Sequence, residues 1–244
     1  MNIDRSRLWV MAHRGASAYA PENTMAAFRL AFDQGAPAVE FDVKLTRDRE
    51  IIIHHDSTVD RTTDGTGRVH KKSLAELREL DAGSKFSEKF RGEKIPLLRE
   101  VIEEFGSTRI LNIELTNYVT PWDGLVYEVV KLVRYYGVES TVLFSSFNPI
   151  NLWLAKKIAP TIACGYLRSQ LTPLNQGISK FFSLQADHPI KQIVTPRHVQ
   201  NAHDIGRQVY VWTVNEQTEM QDLKKMGVDG IITNDPVLAL EVFK

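Results

Sequence analysis

Ala38-Val39-Glu40-Phe41-Asp42-Val43-Lys44-Leu45, then Thr46-Arg47-Asp48-Arg49, then Glu50-Ile51-Ile52-Ile53-His54-His55, is the stretch on which the architecture turns. Two β-branched runs stand only four residues apart. A parallel crossover needs a dozen or more residues, so this link permits only an antiparallel hairpin. The first run is expected to overshoot the body of the sheet, turn at residues 47–49 and return, bringing His55 back towards the level of Asp42. Side chains alternate along a strand. Val39, Phe41 and Val43 therefore make an apolar face that must pack under helices, while Glu40, Asp42 and Lys44 share the opposite face.

Outward from this hairpin, short β-branched runs alternate with helical patterns, the signature of βα units and a parallel sheet. Strands are expected near residues 8–13, 38–43, 109–115, 142–146, 162–167, 192–195, 208–213 and 230–233, with helices near 22–34, 97–104, 122–136, 149–158, 174–185, 198–205, 216–226 and 236–242. Eight such units close a (β/α)8 TIM barrel, and 244 residues fit one such domain. The run 50–54 is then an excursion above the rim. Residues 46–96 become a hairpin and insertion over the C-terminal, active-site face, carrying one short helix near 73–80.

Composition narrows the chemistry. Forty-three per cent apolar residues suffices for a core, and no run approaches the ~20 apolar residues of a membrane span. The N-terminus is charged and has no apolar h-region, so no secretory signal is expected. One cysteine, Cys164, excludes an intrachain disulfide and is compatible with a reducing cytoplasm. Thirty basic and thirty acidic residues cancel, and no basic run tracks a nucleic acid. An anionic small molecule would have to be drawn by local charge, and neither nucleic acid nor a stable membrane association is expected as a partner.

Alternation brings a third carboxylate to the mouth. Leu111, Ile113 and Leu115 face outward, and Asn112, Glu114 and Thr116 inward. Glu40, Asp42 and Glu114 would repel one another unless a cation compensates; oxygen-only ligands suit Mg2+ or Ca2+ better than Zn2+. The competing reading pairs these carboxylates with Lys44, Arg109 and Arg14. His13 ends the first strand, and Gly15 would let the backbone approach a ligand. His13 and His55 would flank the metal and move a proton at each end of a phosphodiester. His54 should face away by alternation, and His70, His188, His198 and His203 have no carboxylate or metal-ligand spacing around them. Arg14 can fork onto two phosphate oxygens or pair with Glu22 or Glu40. Glu22 and Asn23, in Pro21-Glu22-Asn23-Thr24, would shape the floor, and Asp56 would hold His55 or Arg61. Trp212 and Phe147 could wall the alcohol or glycerol portion.

The ordered set His13-Arg14-Gly15, Pro21-Glu22-Asn23-Thr24, Glu40-Phe41-Asp42, His55-Asp56, Asp81-Ala82-Gly83, Ile95-Pro96-Leu97, Asn112-Ile113-Glu114-Leu115, Ser146-Phe147, Trp212-Thr213-Val214-Asn215 and Gly227-Val228-Asp229-Gly230 resembles the glycerophosphodiester phosphodiesterase family, from residue 13 to 236. The resemblance implies hydrolysis of glycerophosphodiesters to sn-glycerol 3-phosphate and an alcohol in the cytoplasm. It implies one divalent metal on Glu40, Asp42 and Glu114, and His13 and His55 as the acid–base pair. Either histidine can be the base. The nucleophile is a glycerol hydroxyl, giving a cyclic phosphate first, or a water. The chain departs from the family at Glu114-Leu115-Thr116, where Glu-x-Lys is usual. Two alternatives accompany this reading: a lysophospholipase D-type enzyme of the same fold, which needs an exposed apolar rim, and a non-catalytic glycerophosphate binder.

Overall fold

The computed structural model describes residues 8–118, 120–170 and 183–243. Nine strands form one sheet: β1 (Trp9–His13), β2 (Ala38–Leu45), β3 (Ile51–Ile53), β4 (Ile110–Leu115), β5 (Val142–Ser146), β6 (Ala163–Arg168), β7 (Ala186–Pro189), β8 (Gln208–Val211) and β9 (Gly230–Thr233). Their order is β1-β9-β8-β7-β6-β5-β4-β2-β3, and β1 also pairs with β2, so eight parallel strands close on themselves as a (β/α)8 barrel. β3 is antiparallel to the end of β2, with Val43 opposite Ile53 and Leu45 opposite Ile51. The hairpin inferred from the short link is therefore present, and it stands above the barrel.

Helices α1 (Met25–Asp33), α2 (Leu74–Glu79), α3 (Leu98–Phe105), α4 (Leu125–Tyr135), α5 (Pro149–Ile158), α6 (Pro196–Asp204), α7 (Gln217–Met226) and α8 (Pro236–Phe243) accompany the strands. Their starts follow from local chemistry. Thr24, Asn148 and Thr195 accept backbone N–H bonds as N-caps, and proline opens α5 and α6, where its missing N–H costs nothing. None of the described helices is long and apolar enough to cross a membrane.

Alternation divides the core in two. Met11, Ala38, Leu143, Ala163, Ala186, Tyr210 and Ile232 fill the barrel interior. Val39, Phe41, Val43, Leu111, Ile113 and Leu115 pack outward with Phe28, Leu98 and Val129 from the helices. Each large buried side chain contributes about 1.5–3 kcal/mol relative to exposure. The insertion has its own small core: Ile52, Val59, Val69, Leu77, Ala82, Ile95 and Leu97. Asp81 anchors it, accepting from the backbone N–H groups of Gly83, Ser84 and Gly92. Gly83 is required there, because a Cβ would lie 1.9 Å from the Phe90 carbonyl oxygen.

Two sequence expectations are corrected. The sixth barrel strand is Ala186–Pro189, and the apolar run expected at 192–195 instead begins within a 3-10 turn, Lys191–Ile193, and ends on the cap of the helix Pro196–Asp204. Ala186-Asp187-His188-Pro189 reads as a loop because it is polar. It works as a strand because Arg168 and His198 both hydrogen-bond the outward Asp187 carboxylate, while His188 points into the barrel over Gly165. Of the helix expected at 174–185, residues 183–185 are not helical and the rest lies outside the described residues.

Candidate active site

The triad assembles as alternation requires. β2 and β4 run side by side with Asp42 opposite Glu114 and Glu40 opposite Asn112. Glu40, Asp42 and Glu114 are each buried, and one oxygen from each lies within 4.8 Å of the others. Burial, then the neighbouring carboxylates, pushes Glu40 well above the ordinary carboxylate range. Burial, then Asp42, raises Glu114 to about 8. Asp42 Oδ2 accepts from Asn23 Nδ2 at 3.0 Å, while Asp42 Oδ1 is buried with no hydrogen-bond partner among the described residues. Converging oxygens without nitrogen or sulfur ligands, one of them unsatisfied, fit a hard divalent cation. Arg109 does not neutralise them; its guanidinium lies over the Phe32 ring.

His13 and His55 face one cavity of about 170 Å³, which Arg14, Glu114, Phe147 and Trp212 also line. His13 Nδ1–H donates to Asn234 Oδ1 at 2.7 Å, which directs Nε2 towards Glu40, 4.0 Å away. Burial, then Arg14, lowers His13 to about 4, so this contact joins a neutral imidazole to the carboxyl and is no ion pair. His55 has a different partner. Its Nδ1 bonds Asp56 Oδ1 at 2.6 Å, and Arg61 Nε donates to Asp56 Oδ2 at 2.6 Å. Burial opposes ionisation of Asp56, but the bonds from Arg61 and His55 outweigh it and hold the group far below its usual range.

Glu22 joins the two halves of the site. Arg14 Nη1 donates to it at 2.9 Å, and Arg61 donates to both its oxygens at 2.7 Å. Burial raises Glu22, yet the Arg61 and Arg14 bonds bring it down to about 2. Arg14 Nε stands 3.4 Å from Asp42 and makes no hydrogen bond. Arg14 itself sits at φ 57°, a region uncommon for a side-chain-bearing residue. It is held there by Arg14 N donating to Glu40 O at 2.7 Å. The Gly15 that follows, at φ 84°, serves a close approach other than the one expected. A Cβ there would meet the Ala27 backbone at 2.6 Å, so the glycine seats α1, not a ligand.

The aromatic wall is present: Trp212 Nε1 donates to His188 O, Phe147 packs edge-on to Trp212 at 5.3 Å, and Tyr118 packs edge-on to Phe147 at 5.7 Å. Tyr118, which sequence reasoning missed, also donates its hydroxyl to Glu114. Asn234 was missed as well; only its position at a strand end hinted at it. His54 is buried as a structural group, but not by alternation. The strand ends at Ile53, and His54 Nε2 donates to Thr58 O at 2.9 Å to hold the following turn. His198 and His203 do meet carboxylates, Asp187 and Asp229, away from the cavity. Thr116 is buried on the inward face, where its hydroxyl donates to Val43 O at 2.7 Å and accepts from Lys44 Nζ at 2.8 Å. Burial lowers the Lys44 ammonium, against the pull of Asp42 and Glu114.

Comparison with known proteins gives the family. The model of the glycerophosphoryl diester phosphodiesterase family matches residues 13–238. A glycerophosphodiester phosphodiesterase of Caldanaerobacter subterraneus subsp. tengcongensis is 41% identical over 231 residues, covering 93% of this chain and 94% of that protein. One of Bacillus altitudinis is 34% identical, covering 96% and 97%. Among solved structures, an Oleispira antarctica phosphodiesterase in complex with the product sn-glycerol-3-phosphate superposes with a TM-score of 0.90 at 33% identity, covering 97% of each chain.

Proposed function

The chain belongs to the glycerophosphoryl diester phosphodiesterase family, a family of phosphoric diester hydrolases, and we propose that it cleaves glycerophosphodiesters to sn-glycerol 3-phosphate and an alcohol. The observation that carries this reading is a pair of differently partnered histidines facing one cavity beside a carboxylate triad. Mg2+ or Ca2+ on Glu40, Asp42 and Glu114 would supply positive charge against the phosphate and Lewis acidity toward the attacking hydroxyl.

The hydrogen-bond partners of the two histidines support a division of the proton roles. A neutral amide oxygen holds the proton on His13 Nδ1, which leaves the Nε2 lone pair free to take the nucleophile's proton. Asp56 accepts from His55 Nδ1–H and so orients the ring, and His55 Nε2 is the group that gives a proton to the departing alkoxide. Arg14 offers its unused Nε to a phosphate oxygen, and Phe147 and Trp212 enclose the organic group and exclude water. Glu22 and Asn23 hold Arg14 and Asp42 in place. A cytoplasmic setting belongs to the same reading, supported by the single buried thiol of Cys164.

One observation favours a second substrate. Trp122 is 68% exposed and meets Trp153 edge-on in the loop after β4 and on α5, an apolar outcrop that could receive an acyl chain. Release of sn-glycerol 3-phosphate from glycerophosphocholine, with and without chelator, tests the main reading; choline release from lysophosphatidylcholine tests the second. No product from glycerophosphocholine, or turnover indifferent to chelator, would overturn the proposal.

A further inference from the structure

We propose that Lys44 is a phosphate-binding cation of this site, a role that rests on the phosphodiesterase reading above and extends it to a residue on the second strand. Lys44 follows Glu40 and Asp42 on the inward face of β2, one step nearer the mouth. Its neighbour is Thr116, the residue just past the end of β4, because Val43 is opposite Leu115. The ammonium donates to Thr116 Oγ1 at 2.8 Å, and Thr116 has already committed its own proton to Val43 O. The threonine therefore aims the ammonium without neutralising it.

The two arginines of the site already have carboxylate partners. Arg14 is paired with Glu22, and Arg61 with Glu22 and Asp56. Among the described residues, no carboxylate forms an ion pair with Lys44, which is partly withdrawn from water. Asp42 precedes it by one alternation on the same face of β2, and its antiparallel partner Ile52 lies three residues before His55. Holding a cation there without a counter-ion is costly. An anionic phosphodiester seated over the triad supplies that counter-ion, through the two ammonium protons that Thr116 does not use.

The experiment compares Lys44→Met, Lys44→Arg and the double variant Lys44→Met with Thr116→Lys. Inorganic phosphate and sn-glycerol 3-phosphate are titrated into each magnesium-loaded protein by calorimetry, beside KM and kcat for glycerophosphocholine and a thermal melt. Lys44→Met is expected to weaken phosphate binding about 10- to 100-fold and to raise KM more than it lowers kcat. Lys44→Arg should stay within about fivefold of wild type, since the charge remains. The double variant moves the ammonium to the adjacent strand and should recover most of the lost affinity, which no packing role for Lys44 would produce. Unchanged phosphate affinity in a folded Lys44→Met would overturn the proposal. So would equal losses in Lys44→Arg and Lys44→Met, or a folded double variant that binds no better than Lys44→Met. Phosphate binding is read without turnover, so absence of hydrolysis by the wild type would refute the substrate reading and leave the Lys44 comparison standing.

Discussion

Two adjacent histidines leave the same strand with different tasks, and single substitutions separate them. His55 lines the cavity with Asp56 behind it, whereas His54 spends its Nε2 proton on the Thr58 carbonyl. His55→Ala should lower kcat by about 10²–10⁴ with little loss of stability. His54→Ala should cost about 1–3 kcal/mol in a denaturation curve and leave kcat within about threefold. Equal kinetic losses in two folded variants would contradict this division. The carboxylates make a second prediction. In the metal-free protein, Glu114 keeps its proton up to about 8 against an unfolded value of 4.5, and Glu40 shifts the same way. Between those values the folded state binds more protons than the unfolded chain, so stability falls as pH rises through that window. Melts in chelator at the two ends of the window should show the decline, Glu114→Gln should flatten it, and a divalent ion should restore stability most at the alkaline end. A flat profile in the wild type would sink the electrostatic picture of the triad.

At the scale of elements, the insertion is tied to the barrel by a relay of charge: Arg14, Glu22, Arg61, Asp56 and His55 follow one another in direct contact. Arg61→Met cuts it in the middle. It should lower kcat by about tenfold, consistent with the loss of a positioning contact, and speed proteolytic cleavage within residues 58–95, while an unaltered cleavage rate would show that the small core of the insertion suffices by itself. Because Glu22 titrates near 2, the stabilisation from its pairs is complete above the ordinary 4.5 and is lost as pH falls through about 2. The hairpin beneath this relay was legible from the four residues between its strands, since chain length is a steric limit. The triad was legible from alternation. β7 was not, because Asp187 and His188 become strand residues only through partners on β6 and α6. The bonds of Lys44 to Thr116, Tyr118 to Glu114 and Asn234 to His13 depend on rotamers and on register between strands, which local composition does not encode.

Across the whole molecule, net charge is zero at neutral pH, so no long-range field gathers anions. Capture falls to cations partly withdrawn from solvent, which salt screens weakly. Accordingly kcat/KM for a phosphodiester should change by less than about threefold between about 0.05 and about 0.3 M NaCl, and a steep decline would point to a charged surface outside the cavity. The closure of the barrel has a further consequence. His13 and Asn234 are 221 residues apart, and they meet because β9 is the last strand to pair with β1. A ribosome delivers the triad and both imidazoles long before it delivers Asn234. A nascent chain paused before β9 thus holds Glu40, Asp42, Glu114, His13 and His55 but has no amide to fix the tautomer of His13. The His13 tautomer proposed to act as base is therefore fixed only once β9 has joined the barrel, so the last strand to pair sets the protonation of a group on the first.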